Sequence, residues 1–268
     1  MMKRKRFSIT DLFNHETPFA TEFRRLLYKV QSLDSESELK SLLISSAMLS
    51  EGKSTICSLL GITAALHKGL RTLVMDCDIR RPCIHKLFRL ERGHGMAEIL
   101  AEGFSPRDAI RKTDIDKLDV ITCGSYHTSP TELFDAEAIG TLIEEMKFHY
   151  DLVLIDAAPA LPVSDPMLLA PKVDGILLVV KAGATQREIV QRAVEILNGG
   201  RKMIVGVVLN NMNNTLPYYY DYRYYGYQYT RKSDRPGKDV RSREVRRQKK
   251  DSRTSTGEAP KKTGLSHS

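Results

Sequence analysis

Five stretches of this chain, residues 42–45, 72–75, 152–155, 175–180 and 204–209, are short, almost unbroken runs of apolar residues. A sixth, Leu118-Asp119-Val120-Ile121, reads as a strand with one acid. Strands that are apolar on both sides must be covered on both faces, which requires a mainly parallel sheet between two layers of helices. Segments of helical period lie between the runs: 18–33, with Phe19, Phe23, Leu26, Leu27 and Val30 on one stripe, then 53–67, short helices over 83–101, 131–148 and 186–197. The expected architecture is an α/β three-layer sandwich. Ligands in such sheets sit at the carboxyl ends of the strands. Asp76, Asp156 and the loop after Ile44 fall at those ends.

The chain has 268 residues, enough for one such domain plus tails, and 41% are hydrophobic. Its net charge of +8 is confined to one place. Residues 231–268 hold 13 Lys+Arg against 5 Asp+Glu, so the rest of the chain is neutral. A second basic run, Lys3-Arg4-Lys5-Arg6, lies near the start. Such runs suit phosphate-rich partners, and they equally suit a solvated terminus. We therefore expect a basic flexible lead over 1–17, a folded domain over 18–213, a tyrosine cluster over 214–230 and a basic disordered tail over 231–268. Cys57, Cys77, Cys83 and Cys123 have no metal-ligand spacing and read as reduced thiols. No secretory leader and no run of 18 apolar residues is visible, so the expected location is cytoplasmic.

Ala47-Met48-Leu49-Ser50-Glu51-Gly52-Lys53-Ser54 matches the phosphate-loop pattern except at its first position, where Ala47 replaces glycine. In a strand–loop–helix setting, backbone N–H groups and the positive end of the helix face an anion. Ser50, Glu51, Gly52, Lys53, Ser54 and Thr55 are the candidate nucleotide-binding residues. Lys53 is placed to reach the β- and γ-phosphates, and Ser54 to hold Mg²⁺. An ordinary turn containing Gly-Lys-Ser-Thr is the simpler account, but the aspartates downstream favour a P-loop NTPase fold. Asp76 and Asp78, two apart at a strand end, point to the same side in extended chain. Asp156 ends another strand. Three carboxylates near a triphosphate repel unless a cation lies between them, which makes Ser54, Asp78 and Asp156 candidate Mg²⁺ ligands. One acid near the acceptor hydroxyl also serves proton removal, so Lys53, Asp76 and Asp78 are the candidate catalytic residues. Asp165, before Pro166, is expected to cap a helix. Arg80 and Arg81 are expected to meet phosphate, a neighbouring subunit or solvent.

Eight of the eleven tyrosines, Tyr218, Tyr219, Tyr220, Tyr222, Tyr224, Tyr225, Tyr227 and Tyr229, crowd into twelve residues. A core has no use for such a run, because an unpaired buried hydroxyl costs about 1–3 kcal/mol. An exposed comb of hydroxyls beside a phosphoryl-transfer site suggests phosphorylation of tyrosine. Even four phosphotyrosines would carry about −6 to −8 of charge, comparable with the basic tail beside them.

The set Ser45-Ser46, Ser50-Glu51-Gly52-Lys53-Ser54, Asp76-x-Asp78-x-Arg80-Arg81-Pro82-x-x-His85, Asp156-x-x-Pro159 and the terminal tyrosines resembles the bacterial tyrosine kinases, the autokinases of capsule and exopolysaccharide synthesis. Ser129-Pro130-Thr131-Glu132-Leu133 and Val207-Val208-Leu209-Asn210 are similar to that family as well. The resemblance spans about residues 18–230. It implies ATP, Mg²⁺ and autophosphorylation in trans within a ring-like homo-oligomer, with Asp76 as base. It further implies control of polymer length and export, and a cognate tyrosine phosphatase. It also implies a membrane-bound chain-length-determining activator as a separate polypeptide, which would hold the kinase at the inner face of the membrane. The family's oligomer motif, Glu-x-x-Arg-x-x-Arg, corresponds to Glu22, Arg25 and Tyr28, with Arg24 available beside them. Leu49-Ser50 stands where Pro-Gly is usual.

Two other classes share some of these features. Partition- or division-type ATPase switches carry a lysine where this chain has Met48. A nucleic-acid binder would use tyrosines interleaved with Arg223 and a basic tail, and nucleic acid is not expected as the main partner.

Overall fold

The computed structural model describes residues 8–12, 17–32, 39–125, 134–199 and 204–211. The chain partitions into two units, Met1–Tyr222 and Arg223–Ser268, and every described residue belongs to the first. The helices are α1 (Ile9–Leu12), α2 (Pro18–Ser32), α3 (Lys53–Lys68), α4 (Ile84–Leu87), α5 (Met96–Glu102), α6 (Pro106–Ala109), α7 (Ala136–His149), α8 (Asp165–Leu169) and α9 (Arg187–Leu197). The strands are β1 (Ser41–Ser46), β2 (Thr72–Asp76), β3 (Ile110–Lys112), β4 (Leu118–Ile121), β5 (Leu152–Asp156), β6 (Gly175–Lys181) and β7 (Ile204–Asn210).

The sheet order is β3-β4-β2-β5-β1-β6-β7. All neighbours are parallel except β3, which runs antiparallel to β4. β1, β2, β4 and β5 are buried along their whole length, as solid apolar runs require. One face packs on α2 and α3 through Phe23, Leu27, Ile56, Leu60 and Ile62. The other packs on α7 through Ile139, Ile143 and Met146. On α2, Ala20, Phe23, Leu27 and Val30 form the buried stripe, with the 3–4 spacing of an amphipathic helix. Gly69, at φ +67°, ends α3 and returns its N–H to the carbonyls of Ala64 and Ala65, the usual use of glycine after a helix.

Three expectations need correction. The lead over 1–17 is not uniformly loose. Ile9–Leu12 make a helical turn, Ile9 is buried in the α2–α3 layer, and the Ser8 hydroxyl donates to the Leu87 carbonyl at 3.3 Å. An apolar residue and a matched polar one are enough to pin that turn. The helix expected from Thr131 begins at Ala136, because the Asp135 carboxylate accepts the N–H groups of Glu137 and Ala138 and caps it there. Residues 131–133 lie outside the described residues. Asp165 does not cap α8 but is its first residue, and its carboxylate takes both Nε (2.9 Å) and Nη2 (3.3 Å) of Arg80. Arg80 is thereby committed within the chain.

Candidate functional site

β1 delivers the chain into the loop 47–52, and α3 leaves it at Lys53. Ser46 Oγ donates to the Met48 carbonyl (2.7 Å), and Ser45 Oγ to the Ala158 carbonyl beyond β5 (2.7 Å). Ala47 is buried and keeps φ out of the left-handed region, so this position does not require the usual glycine. Ser50 is different: at φ +62° it occupies backbone that glycine favours. Gly52, at φ +94°, caps α3 without a side chain, and a Cβ there would come within 2.2 Å of Asn210 Nδ2. Glycine is needed at that position on both counts.

Lys53 reaches back over the strand ends. Its Nζ donates to Asp78 Oδ2 at 2.7 Å and to Ser54 Oγ at 3.2 Å, and lies 3.8 Å from Asp156 Oδ1. Asp78 Oδ1 accepts the N–H of Arg81 (3.0 Å), so this acid both holds the lysine and closes its own turn. Asp76 Oδ2 accepts the N–H of Ile84 (3.1 Å). Asp76 and Asp156 are both 0% exposed. Asp76 Oδ1 and both oxygens of Asp156 are buried with no hydrogen-bond partner.

The electrostatics follow from that burial. Desolvation pushes Asp76 well above the usual carboxylate range, Asp156 adds to the push, and the Ile84 N–H partly opposes it. Desolvation also carries Asp156 up to about 6 against the pull of Lys53. Burial would lower Lys53, but Asp156 and Asp78 outweigh it and raise the lysine, keeping it charged. An orphaned buried acid is costly. Three orphaned oxygens beside a lysine and a helix N-terminus fit a cation and a phosphate that would complete them. Among the described residues no group of His, Cys, Asp and Glu forms a protein-only metal cage.

A cleft of about 210 Å³ opens above these groups, lined by Leu49, Ser50, Gly52, Lys53, Ser54, Thr55, Asp78, Arg81, Cys83 and Pro159. The structure thus brings together Ser50, Gly52, Lys53, Ser54, Thr55 and Asp78. Asp76 and Asp156 lie beneath the cleft rather than on its wall. The Glu51 side chain turns away into the protein, which leaves only its backbone to meet a nucleotide. A larger groove of about 400 Å³ runs between α7 and Pro171–Asp174. Its charges are matched within the chain, Lys172 with Glu137 and Lys147 with both Glu144 and Asp174, and it lacks the unmet acids of the strand ends.

Glu22 and Arg25 pair along α2 at 2.8 Å, Arg24 donates to Thr21 Oγ1 (2.8 Å), and Tyr28 is 65% exposed. The tyrosines from Tyr218 to Tyr229 lie outside the described residues, as does 129–133. No sequence motif includes Thr185, whose hydroxyl meets Glu51, or Cys83 on the cleft wall. The Thr185–Glu51 contact joins residues 134 apart, which no local pattern marks. Nothing marked Cys83.

The chain is 31% identical to CapB of Staphylococcus aureus over 226 residues, covering 82% of this chain and 99% of that one. It is 31% identical to the tyrosine-protein kinase YwqD of Bacillus subtilis over 205 residues, 76% of this chain and 85% of YwqD. This chain belongs to the bacterial tyrosine kinases. Among solved structures, the kinase domain of the Escherichia coli tyrosine kinase ETK matches with a TM-score of 0.71 at 29% identity, over 78% of this chain and 82% of that one. The septum site-determining protein MinD of Pyrococcus horikoshii, complexed with Mg-ADP, matches at 0.56 and 20% identity over 63% of this chain and 71% of that one. That likeness shows the P-loop NTPase fold alone. No protein-family model matches the chain. The kinase is an enzyme of tyrosine phosphorylation built on a nucleotide-binding fold. Met48, in the loop, is 44% exposed.

Proposed function

We propose that this kinase binds ATP in the cleft at Lys53 and phosphorylates the tyrosines Tyr218–Tyr229 of a sister molecule. The observation that carries this reading is the set of orphaned oxygens on Asp76 and Asp156 beside Lys53 at the start of α3. The N–H groups of Ser50 to Thr55 and the helix end hold the phosphates, and Lys53 bears on the β- and γ-phosphates. Ser54, Asp78 and Asp156 would hold Mg²⁺, which supplies neutralising charge when bound. Asp76, beneath the cleft floor, is the proposed base, and Asp78, on the cleft wall, is the acid within direct reach of the phenolic proton. The tyrosine oxygen forms a bond to the γ-phosphorus, the bond from that phosphorus to the β–γ bridging oxygen breaks, and ADP leaves.

The proposal extends to a ring-like homo-oligomer in which Glu22, Arg24 and Arg25 make the contact. The kinase controls exopolysaccharide or capsule chain length and export, under a membrane-bound activator and a cognate tyrosine phosphatase. Among the described residues no helix is long and apolar enough to cross a membrane. Attachment to the inner face of the membrane is assigned to the partner. The lead, the acceptor cluster (214–230) and the basic tail (231–268) flank the folded kinase domain. Binding of a fluorescent ATP analogue with Mg²⁺ tests the seat. Lys53→Met is expected to weaken binding at least a hundredfold, and unchanged binding would remove Lys53 from the site. Light scattering of Glu22→Ala and Arg25→Ala variants tests the ring, which is expected to dissociate.

A further inference from the structure

The proposed chemistry leaves the side chain of Glu51 unused, yet it is only 3% exposed and richly bonded. Its Oε2 accepts the N–H of Met48 at 2.6 Å, across the loop. Its Oε1 accepts the N–H of Lys181, where β6 ends, at 3.1 Å, and the hydroxyl of Thr185. Its backbone carbonyl accepts Asn210 Nδ2 at 2.8 Å, from the end of β7. Each of these donors is itself fixed. Ala184 and Thr185 turn back with their N–H groups on the Lys181 carbonyl (3.3 and 3.2 Å). Asn210 Oδ1 accepts the N–H of Asn211 (2.8 Å), which orients the amide so that Nδ2 faces Glu51. The Asn210 carbonyl also accepts the N–H of Ala182 (2.9 Å).

The loop needs such support. Ser50 holds a left-handed backbone that a non-glycine residue adopts only when its surroundings impose it. The bonds that surround it converge on the next residue, Glu51. We infer that Glu51, Thr185 and Asn210 are positioning residues for the nucleotide: they fix the loop 47–52 in the shape that aims its N–H groups at phosphate. They do in this chain what Pro-Gly would do where Leu49-Ser50 stands. The inference rests on the reading of that loop as the phosphate seat. Because Asn210 closes β7, the seat and the start of the segment leading to the tyrosines share a hydrogen bond.

Thr185→Val removes the hydroxyl at nearly constant volume, and Thr185→Ser restores it. Asn210→Asp replaces the Nδ2 donor with an oxygen facing the Glu51 carbonyl. The full chain with Mg-ATP gives KM and kcat for tyrosine labelling, and a fluorescent ATP analogue gives Kd. Thr185→Val and Asn210→Asp are expected to raise Kd and KM about tenfold, the effect of one lost hydrogen bond to a charged or oriented group, with kcat within threefold. Thr185→Ser is expected to return both constants to within twofold of the parent. Equal behaviour of the Val and Ser variants, or a fall in kcat at unchanged KM, would overturn the inference. Lys53→Met separates the two possible failures. If it binds nucleotide like the parent, the phosphate seat falls and the inference with it. If it loses binding while Thr185→Val and Asn210→Asp keep it, only the inference falls.

Discussion

The two ends of the same sheet treat aspartate in opposite ways. Among the described residues, every buried or half-buried acid at the amino ends of the strands is matched. Asp174 accepts the N–H groups of Lys40 and Ser41, the Ser41 hydroxyl and Lys147 Nζ at 2.7–3.0 Å. Asp119 takes both the Tyr150 hydroxyl and Lys112, each at 2.8 Å. Asp151 grips Arg71 through Nε, Nη2 and the backbone N–H. At the carboxyl ends, Asp76 and Asp156 are at least as deeply buried and keep three oxygens without a hydrogen-bond partner, one of them 3.8 Å from Lys53 Nζ. One end is arranged for stability. The other withholds partners that a fold alone would supply, as sites built for a ligand do. The contrast supports placing the proposed site at the carboxyl ends of the strands.

The contrast can be broken most sharply at Asp76. Asp76→Asn replaces a buried carboxyl, one oxygen of which has no hydrogen-bond partner, with little change of shape. It is expected to raise the melting temperature of the ligand-free chain and to cut tyrosine labelling by about 10²–10⁴-fold, the span of a lost general base. Calorimetry and a labelling assay read the two effects, and a variant that melts lower would contradict the proposed strain. Asp174→Ala should do the reverse. Loss of its bonds to backbone, hydroxyl and lysine is expected to lower stability by about 2 kcal/mol in denaturant titration, while Kd for nucleotide stays within twofold.

The pH dependence of stability should carry opposite signs at the two ends. Burial alone would raise Asp174, but Lys147 and Ser41 outweigh it and hold the acid below its ordinary value. Its support is therefore present above the unfolded value near 3.9 and is lost as pH falls through the lower folded value. Asp156 is raised to about 6. Its favourable contribution is complete below about 3.9 and is lost as pH rises through about 6. Asp156→Asn should flatten the stability profile of the ligand-free chain between those values, and Asp174→Asn should flatten the limb below about 4. Unfolding titrations at stepped pH decide. The smallest effect is expected at Ser50→Gly. Relief of the left-handed backbone, less the entropy of glycine, should add about 0.5–1 kcal/mol to stability.

Much of this was legible in the sequence, for local reasons. The central strands β1, β2, β5 and β6 declare themselves because burial on both faces favours apolar residues, whereas β7 is apolar although Val207 and Leu209 are 47% and 55% exposed. The phosphate loop, Lys53, Ser54 and the three acids at strand ends form a pattern fixed by spacing. β3 was hidden because Ile110-Arg111-Lys112 is three residues long and two of them are cations. It exists because it pairs with β4, and Lys112 reaches Asp119 from it. The Arg80–Asp165 pair joins residues 85 apart in the chain, and Thr185 and Asn210 meet Glu51 across 134 and 159 residues. No local pattern encodes such partners. Asp165 before Pro166 looked like a cap because the dipeptide is indifferent to what faces it in space.

The most direct test is phosphotyrosine mapping by mass spectrometry on the full chain after incubation with Mg-ATP, with and without a candidate activator peptide, beside Lys53→Met. Label confined to tyrosines between Tyr218 and Tyr229 and abolished by Lys53→Met is the expected result. A chain that binds nucleotide normally in the presence of its activator and yet leaves those tyrosines bare would contradict the account, as would equal labelling of the Lys53→Met variant.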